Sequence, residues 1–384
     1  SLATFPVFIQ IADFSGSWGL TYLAAAVAGA VYEMTRPMDL QRSRRRRLEA
    51  AAFAVGAIVF VLGYGSYRLD SNHTKPGPRV AVIQPNLPSW ITDPDEPLPT
   101  PELVRLTRQM VQPDSAALVM WPENSGANLF ANSDSLRDVV ALARELRLEI
   151  LVDGPSSWPA VSPLRHRLAL VGESGRIKWY DKTALVPWSE YVPIAPMLSR
   201  INLRLGAAFV DFVKTLNPHL VEFTPGDNLN ILSLASGNVS IVPSICYELL
   251  DPELLLRWHR AIGPNQIEPT FVVNPVNERL LGRSIHHQTL GFSQIRAVEA
   301  RLSIVRATNN GISAVIDPMG QVSHGIGESR PEDSIDSVGS FTATILLDDR
   351  VPTPYMRWGD WLPMASLLFT LLSLSWPKRL DETR

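Results

Sequence analysis

Cysteine is nearly absent: Cys246 is the one thiol in a chain of 384 residues that carries 31 prolines and 23 glycines. A single cysteine cannot close an intrachain disulfide, so this thiol is either a small buried hydrophobe or a nucleophile. An excess of basic charge is missing too. With a formal net charge of -3 and 19% charged residues, the chain offers no electropositive surface, which sets nucleic acid aside as a partner. Neither an H-E-x-x-H cluster nor a glycine-rich phosphate loop occurs, so the sequence calls for no metal and no nucleotide cofactor. Internal repeats and low-complexity tracts are lacking. The opening S-L-A-T-F-P-V-F-I-Q-I-A-D has no basic n-region of a signal peptide.

Charge itself is lacking over residues 14–32, 50–67 and 361–377. Each run is about long enough to cross a hydrocarbon core of roughly 30 Å at about 1.5 Å per residue, and the sequence predicts three membrane helices. The third is short and opens W-L-P, so an interfacial or core helix is its alternative. A mean hydropathy of +0.05 fits such a mixture of membrane and soluble parts. Between the first two runs lie Arg36, Arg42, Arg44, Arg45, Arg46 and Arg47, and after the third come Lys378 and Arg379. The excess of arginine and lysine puts both regions in the cytoplasm and the long segment between outside. The expected organisation is a membrane region at 1–69, an extracytoplasmic catalytic domain at 70–350, and a last helix with a cytoplasmic tail at 351–384. A first helix with its N-terminus outside and no signal peptide suggests upstream membrane helices.

What the long segment does contain is alternation. R-V-A-V-I-Q, A-A-L-V-M-W, E-I-L-V-D, N-I-L-S-L, V-S-I-V-P-S-I, T-F-V-V-N and I-S-A-V-I-D are short runs rich in β-branched residues. Between some of them apolar residues recur at helical spacing, as in Leu136, Val139, Val140, Ala143 and Leu146, and again over 287–301. The proline-rich stretch 93–101 reads as a loop. The pattern is that of an α/β domain with buried strands.

Three strands deliver a chemically capable side chain at their ends: A-A-L-V-M-W-P-E gives Glu123, I-K-W-Y-D-K gives Lys182 and V-S-I-V-P-S-I-C gives Cys246. Sites in α/β sheets gather at strand ends. A thiol with a pKa near 8.5 needs help to ionise, which Glu123 supplies as a base and Lys182 as a cation for the thiolate and then for an oxyanion. The amide of Tyr247 is the natural second oxyanion donor. Read one at a time, the same residues are a loop carboxylate, a surface lysine and a core cysteine. His286 and His287 are neighbours in sequence, so on a helix they point apart and read as surface residues or as supports behind a site.

The motifs W-P-E-N (121–124), Y-D-K-T-A-L-V-P-W-S-E-Y-V-P (180–193) and S-I-C-Y-E (244–248) resemble the Glu, Lys and Cys motifs of the nitrilase, or carbon-nitrogen hydrolase, superfamily. More narrowly the chain resembles its apolipoprotein N-acyltransferase branch, through R-A-T-N-N-G-I-S-A-V-I-D-P-M-G (306–320), Y-M-R-W-G-D-W (355–361) and Q-I-A-D-F-S-G-S-W-G (10–19). The resemblance implies an α/β fold, a nitrilase-like α-β-β-α sandwich attached to transmembrane α-helices, in the bacterial inner membrane with the catalytic domain facing the periplasm. It makes Glu123 the general base, Lys182 the oxyanion lysine and Cys246 the nucleophile. Glu190 and Glu248 become supporting carboxylates, and Tyr247 a backbone donor. Trp121 and Trp188 could line an acyl groove, as could Leu280 and Leu281, which stand in N-E-R-L-L-G where the branch has N-D-A-W-F-G. The implied reaction moves an acyl chain from a phospholipid through a cysteine thioester to the amine of a diacylglyceryl apolipoprotein. The implied partners are that donor, that acceptor and the lipid bilayer, for a monomeric enzyme with no cofactor. A membrane-tethered amidase or nitrilase, or an inactive truncated homologue, is the alternative.

Overall fold

The computed structural model describes residues 2–36, 42–71, 73–87, 100–125, 133–156, 163–217, 220–262, 269–279, 282–326, 331–349 and 352–375. Most of the loop expected at 93–101 lies outside them, as do Leu280, Leu281, Lys378 and Arg379.

After a 3-10 turn, Leu2–Thr4, come two helical turns, α1 (Pro6–Ile9) and α2 (Ala12–Ser15), from which α3 (Trp18–Thr35) departs at a bend of 117°. The bend falls at Gly16, whose φ is +62° and where a Cβ would stand 2.4 Å from the Tyr355 ring; backbone and contact both demand glycine. Helix α4 (Arg42–Asp70) packs on α3 and takes the whole arginine run into its first turns.

The first half of the domain consists of β1 (Thr74–Gln84), α5 (Thr100–Met110), β2 (Leu118–Met120), α6 (Ser133–Leu146), β3 (Glu149–Pro155), β4 (His166–Val171) and β5 (Ile177–Asp181). A helical hairpin, α7 (Ala195–Ile201) and α8 (Leu203–Leu216), leads to the second half. There follow β6 (Leu232–Ser233), β7 (Ser240–Pro243), α9 (Pro252–Ala261), β8 (Phe271–Val276), α10 (Arg283–Ala300), β9 (Ser303–Thr308), β10 (Ala314–Ile316) and β11 (Val322–Gly325). Strand β12 (Gly339–Asp348) returns to the edge of the first sheet, and α11 (Pro354–Trp358) and α12 (Trp361–Ser375) close the chain.

The strands form two six-stranded sheets, ordered β12-β1-β2-β3-β4-β5 and β11-β10-β9-β8-β7-β6. In each, a parallel trio (β1, β2, β3 or β7, β8, β9) is flanked by antiparallel edges. Period-two alternation decides what each face meets. Along β1, Val80 and Val82 join the core shared with Ile241, Val273 and Val305, while Ala81 and Ile83 turn to Leu103 and Val139 of the covering helices. Helices α9 and α10 press Leu254, Trp258, Leu290 and Ala297 onto the second sheet. Full burial of each such large apolar side chain favours the fold by roughly 1.5–3 kcal/mol. The result is the α-β-β-α sandwich expected from the motifs.

The membrane expectation is met less fully. Among the described residues, α4 alone is long and apolar enough to cross a bilayer, over Arg44–Asp70, and α3 reaches that standard only together with the bent segment before it. Helix α12 has 15 residues, fewer than the ~20 of a typical span.

Candidate active site

Strand β7 is buried throughout, and two residues beyond it the chain tightens into a 3-10 helix, Cys246–Leu250. Cys246 itself, half-buried, has φ +50°. A non-glycine residue held there costs of order 1–3 kcal/mol, so the surroundings must fix it. They do so from three sides. Asn274 of β8 donates its Nδ2–H to Ser244 O at 2.8 Å and to Cys246 O at 3.3 Å; Glu248 Oε2 accepts the Ile245 N–H at 2.8 Å. Arg296 of α10 donates to Leu249 O and Leu250 O at 3.2 and 3.3 Å.

Lys182 follows β5 and is fully buried. Its Nζ donates to Glu190 Oε1 at 2.7 Å and lies 3.8 Å from Glu123 Oε1. Burial works against the ammonium, but the charges of Glu190, Glu123 and Cys246 outweigh it and raise the lysine pKa. Glu190 is aimed back at Lys182 by the tight turn after β5: its Oε2 accepts the Val186 N–H at 2.8 Å, and its own N–H bonds Val186 O at 2.9 Å. Burial alone would raise the Glu190 carboxyl, yet Lys182 and His166 hold it at about 2.

Glu123 comes off the end of β2, and its Oε2 accepts the Asn277 N–H at 2.8 Å. Burial raises its pKa, with Lys182 and His166 opposing. Burial likewise pushes the Cys246 thiol well up, as do the charge of Glu123 and the hydrogen bond to it, while Lys182 pulls it down. The thiol thus lies beside a carboxyl group whose basicity is raised. Such a pair can pass the proton from thiol to carboxylate while a fixed ammonium stands by. The structure therefore brings the three strand-end residues of the sequence reading to one place.

The supporting residues divide. Glu248 is a brace between loops: its Oε1 accepts Tyr180 OH at 2.8 Å, Thr183 N–H at 2.7 Å, Thr183 Oγ1–H at 3.1 Å and Ala184 N–H at 3.0 Å. It ties the residues just after Lys182 to the Cys246 helix. Tyr247 exposes its ring to a cavity of about 1010 Å³ walled by Leu185, Val192, Ala195, Val210 and Phe223. Trp188 is exposed on the rim turn, its carbonyl accepting Asn217 Nδ2–H at 3.0 Å. The groove expectation fails for Trp121. It is fully buried under α5 and donates its indole N–H to Thr107 at 2.9 Å, because it shares a sheet face with Val119 rather than with the cavity. Leu280 and Leu281 fall outside the described residues.

His286 is buried against Glu278 at 2.8 Å, with Arg306 on the same carboxylate, and His287 is exposed, so the adjacent histidines do point apart. Glu278 directly follows Asn277, the residue that holds Glu123.

Sequence reasoning missed His166 and Asp153. His166 Nε2 sits 2.8 Å from Asp153 Oδ1 and 3.9 Å from Glu123 Oε1, and its Nδ1 is 3.5 Å from Glu190 Oε1. A signal existed: His166 is in phase with Leu168 and Leu170, which face the core. Glu123, His166 and Glu190 bring ligand-type atoms within 4.8 Å of one another. The cation already held there is the Lys182 ammonium.

Residues 79–342 match the carbon-nitrogen hydrolase family. The match runs from β1 into β12, and the chain belongs to that family. A CN-hydrolase superfamily protein from Xanthomonas campestris shares the fold with a TM-score of 0.50 at 17% identity, over 74% of this chain and 98% of its own. Within the family, the apolipoprotein N-acyltransferase of Geobacter metallireducens is 28% identical over 82% of this chain and 58% of its own length. That of Rhodopseudomonas palustris is 28% identical over 96% of this chain and 66% of its own. The chain thus spans less than two thirds of these relatives.

Proposed function

We propose that this chain carries the catalytic domain of an apolipoprotein N-acyltransferase, working by a Glu123–Lys182–Cys246 triad. The observation that carries the reading is an open cavity of about 1010 Å³, walled largely by apolar residues and reached by Thr183 and Tyr247, the residues that follow Lys182 and Cys246; it is large enough for part of an amphiphile. The relatives' names supply the substrate class. In the first half-reaction Glu123 takes the thiol proton as Cys246 Sγ attacks an ester carbonyl of a phospholipid. The oxyanion rests on Lys182 Nζ and the Tyr247 N–H. The ester C–O bond then breaks, Glu123 returns the proton to the leaving alkoxide, and a lysophospholipid departs from the thioester. In the second half the α-amine of a diacylglyceryl-cysteine attacks the thioester carbonyl. Glu123 accepts the amine proton, the C–S bond breaks, and the thiolate leaves next to Lys182 and is reprotonated.

The setting is the inner membrane. Helix α4 exposes Phe53, Val55, Val59 and Phe60, and α12 exposes Leu367, Phe369 and Leu374, apolar surfaces suited to acyl chains. Arginines crowd one end of α4 and the domain leaves from the other, so the positive-inside bias favours a periplasmic domain and a multi-pass anchor. The hairpin α7–α8 walls the cavity through Ala195, Leu203 and Val210 and exposes Met197, Ile201 and Phe212 besides.

Mass spectrometry of the purified chain after incubation with phospholipid tests the reading. An acyl adduct on Cys246 that is discharged by a diacylglyceryl-cysteine peptide is expected. Discharge by water at the same rate as by the peptide would instead favour a membrane-tethered amidase or nitrilase.

A further inference from the structure

We propose that His166, anchored by Asp153, is a second fixed cation of this site, a positioning residue that acts through Glu123 and Glu190. The proposal rests on Glu123 being the base for Cys246. Both ring nitrogens of His166 face carboxylate oxygens: Nε2 meets Asp153 Oδ1 at 2.8 Å, and Nδ1 stands 3.5 Å from Glu190 Oε1. With a proton on Nε2 for Asp153, a neutral ring would turn the Nδ1 lone pair towards the Glu190 carboxylate, whereas an imidazolium turns an N–H there, at 3.5 Å a charge contact rather than a hydrogen bond. The ring is buried and stacked on Phe223 at 5.2 Å, so it cannot swing away. The ionisable groups that face it are Asp153 from β3, Glu123 after β2, Glu190 from the turn after β5, and Lys182.

Charge balance points the same way. Glu123, Glu190 and Asp153 are all buried, and Lys182 alone would leave them with surplus negative charge in a medium that penalises it. Lys182 and His166 approach the same two oxygens, Glu190 Oε1 and Glu123 Oε1, from different strands. Lys182 serves the reacting sulfur, and His166 balances the charge behind it. The Asp153 charge holds the imidazolium, lifting its pKa against the opposing effect of burial to about 10. The ring therefore keeps its proton at neutral pH and works through its field.

Removing this cation must raise the pKa of Glu123, because the carboxylate loses a favourable neighbour. The acid limb of Cys246 reactivity then moves to higher pH. The probe is iodoacetamide, uncharged and small, applied to the detergent-solubilised full chain across pH 4–9. With one cysteine in the sequence, every label reports Cys246. His166→Gln should shift the limb up by about one to two pH units, slowing alkylation roughly tenfold per unit below it. An unmoved limb overturns the proposal while leaving the nucleophile assignment intact; an unreactive Cys246 in the parent chain removes both. If the glutamine variant does not fold, His166→Asn carries the same prediction. In the parent chain, nitrogen-15 labelling of the seven histidines should show at least one ring still doubly protonated above pH 8. Titration of all of them below that pH overturns the proposal without any variant.

Discussion

Two buried ion clusters in this molecule are built to different rules. Where the helices meet the domain, Asp13 of α2 is engaged at bonding distance on both oxygens: Arg301 and Arg68 each donate to Oδ2 at 2.6 Å, and Tyr64 OH to Oδ1 at 2.6 Å. Around Cys246 the acids outnumber the cations, and Glu123 stands 3.8 Å from Lys182 and 3.9 Å from His166, near enough to feel both and bonded to neither. The first arrangement leaves nothing to exchange and acts as a bolt between α2, α4 and the end of α10. The second keeps a carboxylate whose proton affinity is raised and whose partner is a thiol.

The sharpest break in that comparison is Cys246→Ser, which should abolish acyl-enzyme formation by mass spectrometry while leaving the circular dichroism spectrum and thermal midpoint unchanged. A hydroxyl is a far weaker acid than a thiol, and the base here cannot compensate. Near-parental turnover would end the nucleophile assignment. Lys182→Met should lower the acylation rate by about 10² to 10³ through loss of an oxyanion donor. Because it strands Glu190 and Glu123, it should also lower thermal stability. Glu123→Gln, by contrast, should slow acylation by about 10²-fold or more with little change in stability, since Gln Oε1 can still accept the Asn277 N–H. Loss of stability as large as that of Lys182→Met would show that Glu123 is structural.

The bolt should respond in reverse. Asp13→Asn leaves Arg301 and Arg68 facing a neutral amide and should destabilise the folded chain by roughly 3–5 kcal/mol, as expected for breaking a buried pair. The alkylation rate of Cys246 per folded molecule should not change. Thermal unfolding followed alongside iodoacetamide labelling separates the two effects.

Glu190 links the two rules, being bonded to Lys182 yet part of the site. Its carboxyl is held at about 2, below the ~4.3 of an unfolded glutamate. Its contribution to stability is therefore complete above pH ~4.3 and disappears as pH falls towards 2, since the unfolded chain binds the proton first. Urea titrations between pH 5 and 2 should be steeper in pH for the parent than for Glu190→Gln; equal slopes would remove the ion pair from the acid stability. The smallest effect belongs to an exposed pair, Arg105 and Glu102 on α5, bonded at 2.7 Å but open to water. Arg105→Ala should leave the thermal midpoint unchanged within error, because solvent screens what burial would amplify.

The strands were legible as short runs rich in β-branched residues, the mark of strands buried on both faces, as β2, β7, β8 and β9 are. The ends of β2, β5 and β7 could be read directly as Glu123, Lys182 and Cys246. Trp121 shows how far parity alone reaches: it shares a face with Val119, which already pointed to the helices rather than to a groove. The membrane segments were legible as runs without charge, but their breaks were not. Gly16 turns the first run because Tyr355, far along the chain, occupies the space a side chain would need.

Local sequence by itself determined which segments became strands and helices, and which residues each strand carried to its end, since backbone preference and apolar period act over neighbours. Tertiary structure alone decided the electrostatic character of the site. His166 and Asp153 face each other because β3 and β4 pair antiparallel at the register that sets Pro155 opposite His166, and Glu190 reaches Lys182 only through the turn after β5. Charges couple over a few ångströms in space, whatever their distance along the chain, so a proton's preferred site is fixed only when the sheet has closed around it.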